Sequence, residues 1–433
     1  MTAQINRRSL LSLGVGLGIS VNFLGSQAFA ASEGGLARKK LVVIICRGGM
    51  DGLSVSPPVG DPDYARLRGS IAMRRDEVLM LDDTFGLHPE LQAVHALALN
   101  GEARIAPAIA SPDRARSHFE AQDVLETGAA HVYGTETGWL NRTLESLAPI
   151  RRVEGLSVGS TAPLILRGKV QAASWSPGKL VDETARLPTL LQDLYKNDPM
   201  LGPAFARGLE TEAMAQTAMT AMAASPAMNM AAASTPSMTP PGTPPGTPQM
   251  TMASQATAGD KQNKAGGDAA RKLGATLGGF MIQAGGPQIA AVSLDGFDTH
   301  AGQPGQIATR LSYVDAVLDG LHQGLGPEWK NTLVIAVTEF GRTARVNGTG
   351  GTDHGTASTG LVLGGALKRG GIIGDWPTLS EKALFENRDT APTLDMRGLF
   401  KGALADHMGV DRAILDSKVF PDSAGVRPLT GLV

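Results

Sequence analysis

The chain has few of the residues on which several common protein classes depend. It contains one cysteine, Cys46, among 433 residues, so no intrachain disulfide can form. Aromatic residues make up 4% of the chain and the formal net charge is -2, which leaves neither a basic surface nor many stacking rings for nucleic acid. No glycine-rich phosphate loop of the Walker or dinucleotide type occurs. The composition therefore excludes a disulfide scaffold and argues against nucleic-acid binding and nucleotide-driven chemistry.

The first thirty residues have the composition of an export signal. Arg7 and Arg8 precede an apolar run over residues 10–24, which is shorter than the ~20 residues that a membrane span needs. Small residues around Ala28 and Ala30 offer a cleavage point, so residues 1–30 are expected to be removed. The paired arginines predict the twin-arginine translocase as a partner during export, a periplasmic protein and no stable membrane anchor. An uncleaved anchor or a buried core helix is the alternative.

One internal segment lacks the composition of a folded domain. Residues 211–267 consist mainly of Ala, Met, Thr, Ser, Pro and Gly, with a short repeat at residues 241–248. Such a segment cannot bury enough apolar surface to offset the entropy lost on ordering, so we predict a flexible insertion within a single domain over residues 31–433. Its methionines could bind Cu(I), because thioethers are soft ligands. Compositional drift is the alternative, since no Cys or His accompanies them.

Continuous apolar runs predict strands that are buried on both faces of a parallel sheet. Strands that alternate with helices predict an α/β fold with a mostly parallel, doubly wound sheet. The predicted strands cover residues 40–46, 103–109, 289–294, 332–337 and 361–363, and the predicted helices cover residues 117–127, 188–196, 269–284, 306–324 and 393–408.

Acids and histidines in glycine-rich loops follow three of the predicted strands. Because the carboxyl ends of parallel strands meet at one edge of a sheet, these loops should converge on one crevice. Carboxylate and imidazole ligands together suit Zn²⁺, Mn²⁺ or Fe better than Ca²⁺ or Mg²⁺, which prefer oxygen alone. We therefore expect a site for one or two divalent metal ions, although each acid could alternatively cap a helix or turn. Its candidate ligands are Asp51, Asp298, His300, Asp353 and His354.

Three further residues are candidates for contacts with a substrate. Arg342 could neutralise charge on the substrate, because a guanidinium fits a tetrahedral oxyanion. Glu339, just after the strand at 332–337, could orient a bound group, and an ion pair with Arg342 explains it equally well. His118 stands at a predicted helix start, where free amides favour anions, so it is a candidate for substrate binding.

Five motifs in a fixed order resemble the bacterial family of domains of unknown function numbered 1501. They lie at residues 47–52, 116–123, 295–303, 339–343 and 351–355, and the resemblance runs from about residue 40 to the C-terminus, apart from the insertion. That family in turn resembles the alkaline phosphatase and sulfatase superfamily, which implies an α/β/α sandwich with metal ions at the strand ends. The resemblance implies that Ser117 is the catalytic nucleophile, that one metal site comprises Asp51, Asp353 and His354, and that a second includes Asp298 and His300.

The sequence departs from the superfamily pattern in two ways. No further histidine late in the chain is placed to complete the second metal site, and the Cys-x-Pro-x-Arg signature of sulfatases is absent. The expectation is an exported, metal-dependent hydrolase acting on a small-molecule or polymeric phosphate or sulfate ester. The alternative is a periplasmic binding or assembly protein that keeps the fold without catalysis.

Overall fold

The computed structural model describes residues 19–24, 38–147, 163–170, 173–175, 252–283 and 286–433. The predicted helix at 188–196 and residues 211–251 of the predicted insertion lie outside these ranges, so the domain boundaries stay predictions. Among the described helices, none has both the length and the apolar character that crossing a membrane requires.

A nine-stranded sheet forms the centre of the described structure. Its strand order is β10-β5-β9-β8-β2-β7-β1-β6, with β11 also paired to β5, while β3 and β4 form a separate pair. In chain order the strands are β1 (Ile19–Leu24), β2 (Lys40–Cys46), β3 (Leu79–Met80), β4 (Gly86–Leu87), β5 (Ala103–Ala110), β6 (Ala173–Trp175), β7 (Ile289–Leu294), β8 (Thr332–Val337), β9 (Ser358–Leu363), β10 (Gly371–Ile372) and β11 (Leu394–Asp395).

The sheet is mixed but mostly parallel, which confirms the predicted α/β class. Strands β1 and β9 point in one direction, and all the other strands of this sheet are antiparallel to them. A parallel neighbour needs a crossover connection that is usually helical. The loop from β8 to β9 contains no helix, so the chain returns from the same edge and β9 is antiparallel to β8.

Most predicted helices are confirmed, with changes at their ends. The α-helices are α1 (Gly52–Val55), α2 (Tyr64–Arg68), α3 (Gln92–Leu99), α4 (His118–Thr127), α5 (Trp139–Leu147), α6 (Met252–Ile282), α7 (Gln303–Leu325), α8 (Met396–Gly402) and α9 (Arg412–Ile414). Helix α6 begins inside the range predicted as a flexible insertion, so its predicted start at residue 269 was too late. The predicted helix at 393–408 is instead β11 followed by α8 and a π-helical turn at Ala403–His407.

Alternate residues of β2 enter two separate cores, one on each face of the sheet. Val42 and Ile44 pack in a core with side chains of α3, α6 and α7. Val43 and Ile45 pack in the other core, with side chains of α5 and α8. Each face of the sheet is therefore covered by helices, and the architecture is a three-layer α/β/α sandwich.

Strand β1 lies inside the apolar run that we predicted as part of the export signal. It pairs antiparallel with β7 over its whole length, and β6 pairs with its other edge. Cleavage at the predicted point would therefore remove β1 and free the edge of β7 within the described part of the chain.

Candidate metal centre

The loops that follow β2, β7 and β8 meet at one edge of the sheet. The Phe297 amide donates to the Arg47 carbonyl over 3.1 Å, which joins the loops after β7 and β2. The Met50 amide donates to Thr338 Oγ1 over 2.9 Å, which joins the loops after β2 and β8. These three strands are parallel neighbours, so their carboxyl ends deliver all three loops to one place.

Two glycines allow the loop backbones to approach one another closely. Gly48 has φ +113°, and a Cβ there would lie 2.5 Å from the backbone nitrogen of Asp298. A Cβ at Gly351 would lie 2.3 Å from the carbonyl of His300. A side chain at either position would therefore displace a residue of the site.

Three side chains offer nitrogen or oxygen atoms that lie close to one another, and a fourth side chain adjoins two of them. His118, Asp298 and His354 each offer a ligand atom, and these atoms all lie within 4.8 Å of one another. His300 Nε2 lies 3.0 Å from His354 Nε2 and 3.0 Å from Asp298 Oδ1. We call these four residues the His–Asp cluster. The side chains of Asp298 and His300 are each 46% exposed, so the cluster is open to solvent on one side.

The other ring nitrogen of each cluster histidine is held by an acceptor. A backbone carbonyl or an ionised carboxylate can only accept, so these contacts allow a proton on each Nδ1, which would leave Nε2 free to bind an ion. Metal-binding histidines are commonly oriented in this way. The pairs are His118 Nδ1 to Glu339 Oε1 (2.9 Å), His300 Nδ1 to Asp353 Oδ1 (3.3 Å) and His354 Nδ1 to the Arg116 carbonyl (2.9 Å).

The spacing of the cluster atoms fits one small cation. Asp298 Oδ2 lies 3.5 Å from His118 Nε2, and Asp298 Oδ1 lies 3.2 Å from His354 Nε2. In a tetrahedral zinc site with bonds near 2.0 Å, neighbouring ligand atoms are about 3.3 Å apart. His118 Nε2 is buried without a hydrogen-bond partner, which is costly unless a ligand satisfies it. His118, Asp298 and His354 are therefore a candidate donor set for a zinc-like ion.

The pKa values of the cluster favour deprotonated ligands at two positions. Burial would raise the pKa of Asp298, but the hydrogen bond and charge of Arg342 outweigh it and the pKa is lowered. Burial lowers the pKa of His354. In contrast, the hydrogen bond from His118 to Glu339 raises the pKa of His118, so an ion must compete with a proton there.

Asp51, a predicted ligand, is not part of the His–Asp cluster. Its Oδ2 accepts from Arg68, from Ser54 over 2.6 Å and from Gln303 over 2.5 Å. Asp51 and Arg68 are both fully buried. An internal guanidinium therefore pairs with Oδ2 of this carboxylate, whereas its Oδ1 is buried without a hydrogen-bond partner, and a metal ion at Asp51 stays a prediction that the His–Asp cluster does not include.

Arg342 was predicted to contact a substrate oxyanion, but its hydrogen-bond partners are groups of the protein itself. It is 1% exposed, and its donors reach Asp298 and four backbone carbonyls in the loops after β2, β7 and β8. The bond to Asp298 Oδ1 is 2.5 Å long. Arg342 therefore joins the three loops and orients one cluster carboxylate, so the role of an oxyanion clamp does not fit this geometry.

Two predicted residues support the cluster from outside it. Glu339 is fully buried and accepts from His118, from the Gly48 amide over 2.8 Å and from Gln122 over 3.2 Å. It orients a ligand, but it cannot reach a substrate directly. Asp353 supports His300, with its carboxylate 57% exposed.

Ser117 lies at the N-terminus of α4, beside the cluster. Its neighbours on either side are Arg116, whose carbonyl holds His354, and the cluster residue His118. Ser117 occupies the N-cap position of α4, but its side chain makes no capping hydrogen bond. Its hydroxyl is therefore not committed to the helix, and the first amides of α4 lack a side-chain acceptor.

The sequence prediction assigned His118 to substrate binding and did not include it among the candidate ligands, where the structure places its Nε2. Its partner Glu339 lies 221 residues away, and only the fold brings the two together. Arg68 and Gln303 surround Asp51, and the sequence did not indicate either of them as its partner. The one available signal was that the motif at residues 116–123 places a histidine beside the candidate nucleophile.

Comparisons with known proteins give a family and no function. No curated protein and no solved structure matches the chain. A family model described as "Protein of unknown function (DUF1501)" matches residues 38–419, which include every residue of the His–Asp cluster and the three loops that carry it. The chain therefore belongs to the DUF1501 family.

Proposed function

We propose that this protein is an exported hydrolase of phosphate or sulfate esters that depends on one bound metal ion. The observation that carries the proposal is the His–Asp cluster, in which ligand atoms of His118, Asp298 and His354 lie within 4.8 Å of one another and His300 Nε2 lies 3.0 Å from His354 Nε2 and from Asp298 Oδ1. The Nδ1 partners support the same function, because they fix the lone pairs toward the ion. The resemblance to the alkaline phosphatase and sulfatase superfamily supplies the class of substrate.

A bound ion would polarise the ester oxygens and stabilise the negative charge that develops on them. The protein contributes the N-terminus of α4, where uncapped amides and the helix dipole favour an anionic ester group. Ser117 stands at that same helix end, and its hydroxyl is free of a capping bond. These features support Ser117 as the nucleophile.

A second metal ion is not part of the proposal. In the resemblance Asp51 would belong to a metal site, but here its carboxylate accepts three hydrogen bonds and pairs with Arg68 in the interior. The only group of at least three candidate ligand residues found among the described residues is the one that contains His118, Asp298 and His354. The proposal is therefore limited to one ion.

A non-catalytic binding or assembly protein is the second candidate. If His300 joined His118, Asp298 and His354 around one ion, four protein ligands would form a closed set, which is typical of structural zinc sites. The partial exposure of Asp298 and His300 favours the catalytic proposal, because solvent and substrate can reach the ion. Export by the twin-arginine pathway into the periplasm is part of the proposal and is supported by Arg7 and Arg8.

The test is elemental analysis of the protein from the periplasmic fraction, together with turnover of aryl phosphate and aryl sulfate esters. We expect about one zinc or manganese ion per chain in the wild type, in accordance with the donor set. His118→Ala and His354→Ala should each lose the ion and the turnover. His131→Ala is the matched control, because His131 is exposed and lies outside the cluster. A wild type without metal contradicts the proposal, whereas metal without turnover of either ester favours the non-catalytic candidate.

A further inference from the structure

Arg116, the residue before Ser117, has an unusual backbone conformation. Its φ is +58°, in the left-handed region that residues other than glycine seldom adopt. In this region the Cβ of an L-residue comes too close to the following carbonyl oxygen, so the conformation persists only where surrounding groups hold it. Backbone strain of this kind is concentrated at functional sites. The groups that hold Arg116 are therefore candidates for a role in the site.

Two carboxylates bind the side chain of Arg116. Its Nε donates to Asp389 Oδ2 over 3.0 Å, and its Nη2 donates to Glu386 Oε2 over 2.5 Å. The side chain of Asp389 is fully buried, whereas that of Glu386 is exposed. Solvent and salt screen a partly buried charge pair much less than an exposed one. Asp389 is therefore the stronger anchor of the two.

Asp389 also connects Arg116 to the segment that carries His354. Thr356 Oγ1 donates to the same Oδ2 atom of Asp389 over 2.8 Å, and Thr356 stands two residues after His354. The residue before Asp389 contacts that segment too, because Arg388 Nη2 donates to the His354 carbonyl over 2.6 Å. The Asp389 carboxylate therefore joins the segment before α4 to the loop after β8, and each of these carries a histidine of the cluster.

The backbone of Arg116 contacts the His–Asp cluster directly. Its carbonyl oxygen lies 2.9 Å from His354 Nδ1. Because the peptide unit is planar, the φ and ψ angles of Arg116 fix the direction of this carbonyl. A return of Arg116 to the ordinary region would turn the carbonyl away from the imidazole and redirect the chain just before Ser117 and His118. The conformation of one residue thus couples Asp389 to the orientation of His354.

We propose that Arg116 and Asp389 are positioning residues, and that their ion pair holds the left-handed backbone whose carbonyl orients His354 toward the metal ion. This proposal rests on the proposed function, because the bound ion is what requires a fixed imidazole. Neither Arg116 nor Asp389 belongs to the His–Asp cluster, so both act through His354. Groups that orient a histidine ligand usually contribute roughly 10–100-fold to metal affinity.

The test compares alanine with glycine at position 116 in the purified protein. Both substitutions remove the guanidinium, but only glycine adopts a positive φ without a steric cost. We expect the affinity for Zn²⁺, measured by competition with a chelator, to fall roughly 10–100-fold in Arg116→Ala. Arg116→Gly should regain severalfold of that loss. The visible spectrum of the Co²⁺-loaded protein should change in Arg116→Ala and stay close to that of the wild type in Arg116→Gly.

A second pair of variants tests the role of Asp389. Asp389→Asn removes the charge that holds Arg116, so it should also weaken Zn²⁺ binding. Adding Arg116→Gly to Asp389→Asn should restore part of the affinity, because glycine keeps the conformation without an anchor. A role in stability alone predicts the opposite, since the double variant would then lose more than the single one. Circular dichroism shows whether each variant is folded, and if Arg116→Ala is not, this second pair decides the question.

Arg345 provides the matched control. Its Nη1 donates to the Asn387 carbonyl over 2.6 Å, within the same chain segment that binds Arg116, but its φ is not positive. Arg345→Ala and Arg345→Gly should both keep the wild-type affinity for Zn²⁺. Equal affinity in Arg116→Ala and Arg116→Gly, or an Asp389→Asn variant that glycine does not improve, overturns the positioning proposal while the proposed function stands. A wild type that binds neither Zn²⁺ nor Co²⁺ overturns both.

Discussion

Replacing Asp51 by Asn separates the two roles that this acid could have. In the structure its carboxylate pairs with Arg68, and neither side chain is more than 1% exposed. Asp51→Asn removes the negative charge and leaves the guanidinium of Arg68 buried without a counter-ion. Removing one partner of a buried ion pair costs about 3–5 kcal/mol, so we expect a loss of this size in the free energy of unfolding.

The same geometry predicts no loss of metal in Asp51→Asn. The His–Asp cluster takes its atoms from His118, Asp298, His300 and His354, and none of them bonds to Asp51. We expect the metal content to stay at the wild-type value. Urea unfolding followed by circular dichroism measures the stability, and elemental analysis measures the metal.

A double-mutant cycle with Arg68→Met tests whether the stability loss comes from the pair. The double variant carries neither charge, so its loss should be smaller than the sum of the two single losses. Asp63→Asn is the control, because it breaks the exposed ion pair of Asp63 with Arg66 and should change stability far less. If Asp51→Asn loses the metal and keeps its stability, Asp51 is a ligand and the ion-pair interpretation is wrong.

Three further predictions follow from single contacts. Ser117→Ala should abolish turnover. It should lose less stability than the ~1 kcal/mol that removal of a helix cap costs, because Ser117 makes no capping bond. Turnover and thermal unfolding are measured on the same variant, and wild-type turnover would exclude the serine as nucleophile. Burial raises the pKa of Asp315 from 3.8 to about 6, so the folded state binds this proton more tightly than the unfolded state does. The resulting stability is present below pH 3.8 and is lost as the pH rises through 6, and the stability difference between wild type and Asp315→Asn should change across that window and stay constant above it. Gly320→Ala should destabilise the packing of α7 on α6, because the new Cβ would lie 1.9 Å from the Arg271 carbonyl, whereas Gly305→Ala on the same helix meets nothing within 4 Å and should be neutral or stabilising in the same melt.

The amino-acid sequence determined the strands and much of the site. The runs at β2, β7 and β8 are apolar at nearly every position, and only burial on both faces of a sheet accommodates such runs. Once these strands are parallel neighbours, their carboxyl ends must share an edge, and this predicted that the loops with Asp51, Asp298, His300, Asp353 and His354 meet in one crevice.

Only the tertiary structure decided which acids and histidines face one another. Asp51 was indistinguishable in sequence from a metal ligand, since nothing local shows that Arg68 and Gln303, the latter 252 residues away, surround its carboxylate. His118 became a candidate ligand only because the fold brings Glu339 to its Nδ1 and Asp298 to its Nε2. A sequence pattern indicates the secondary structure and the burial of a segment. The partners of a charged group depend on contacts between distant segments, and those contacts form only when the sheet and its loops are assembled.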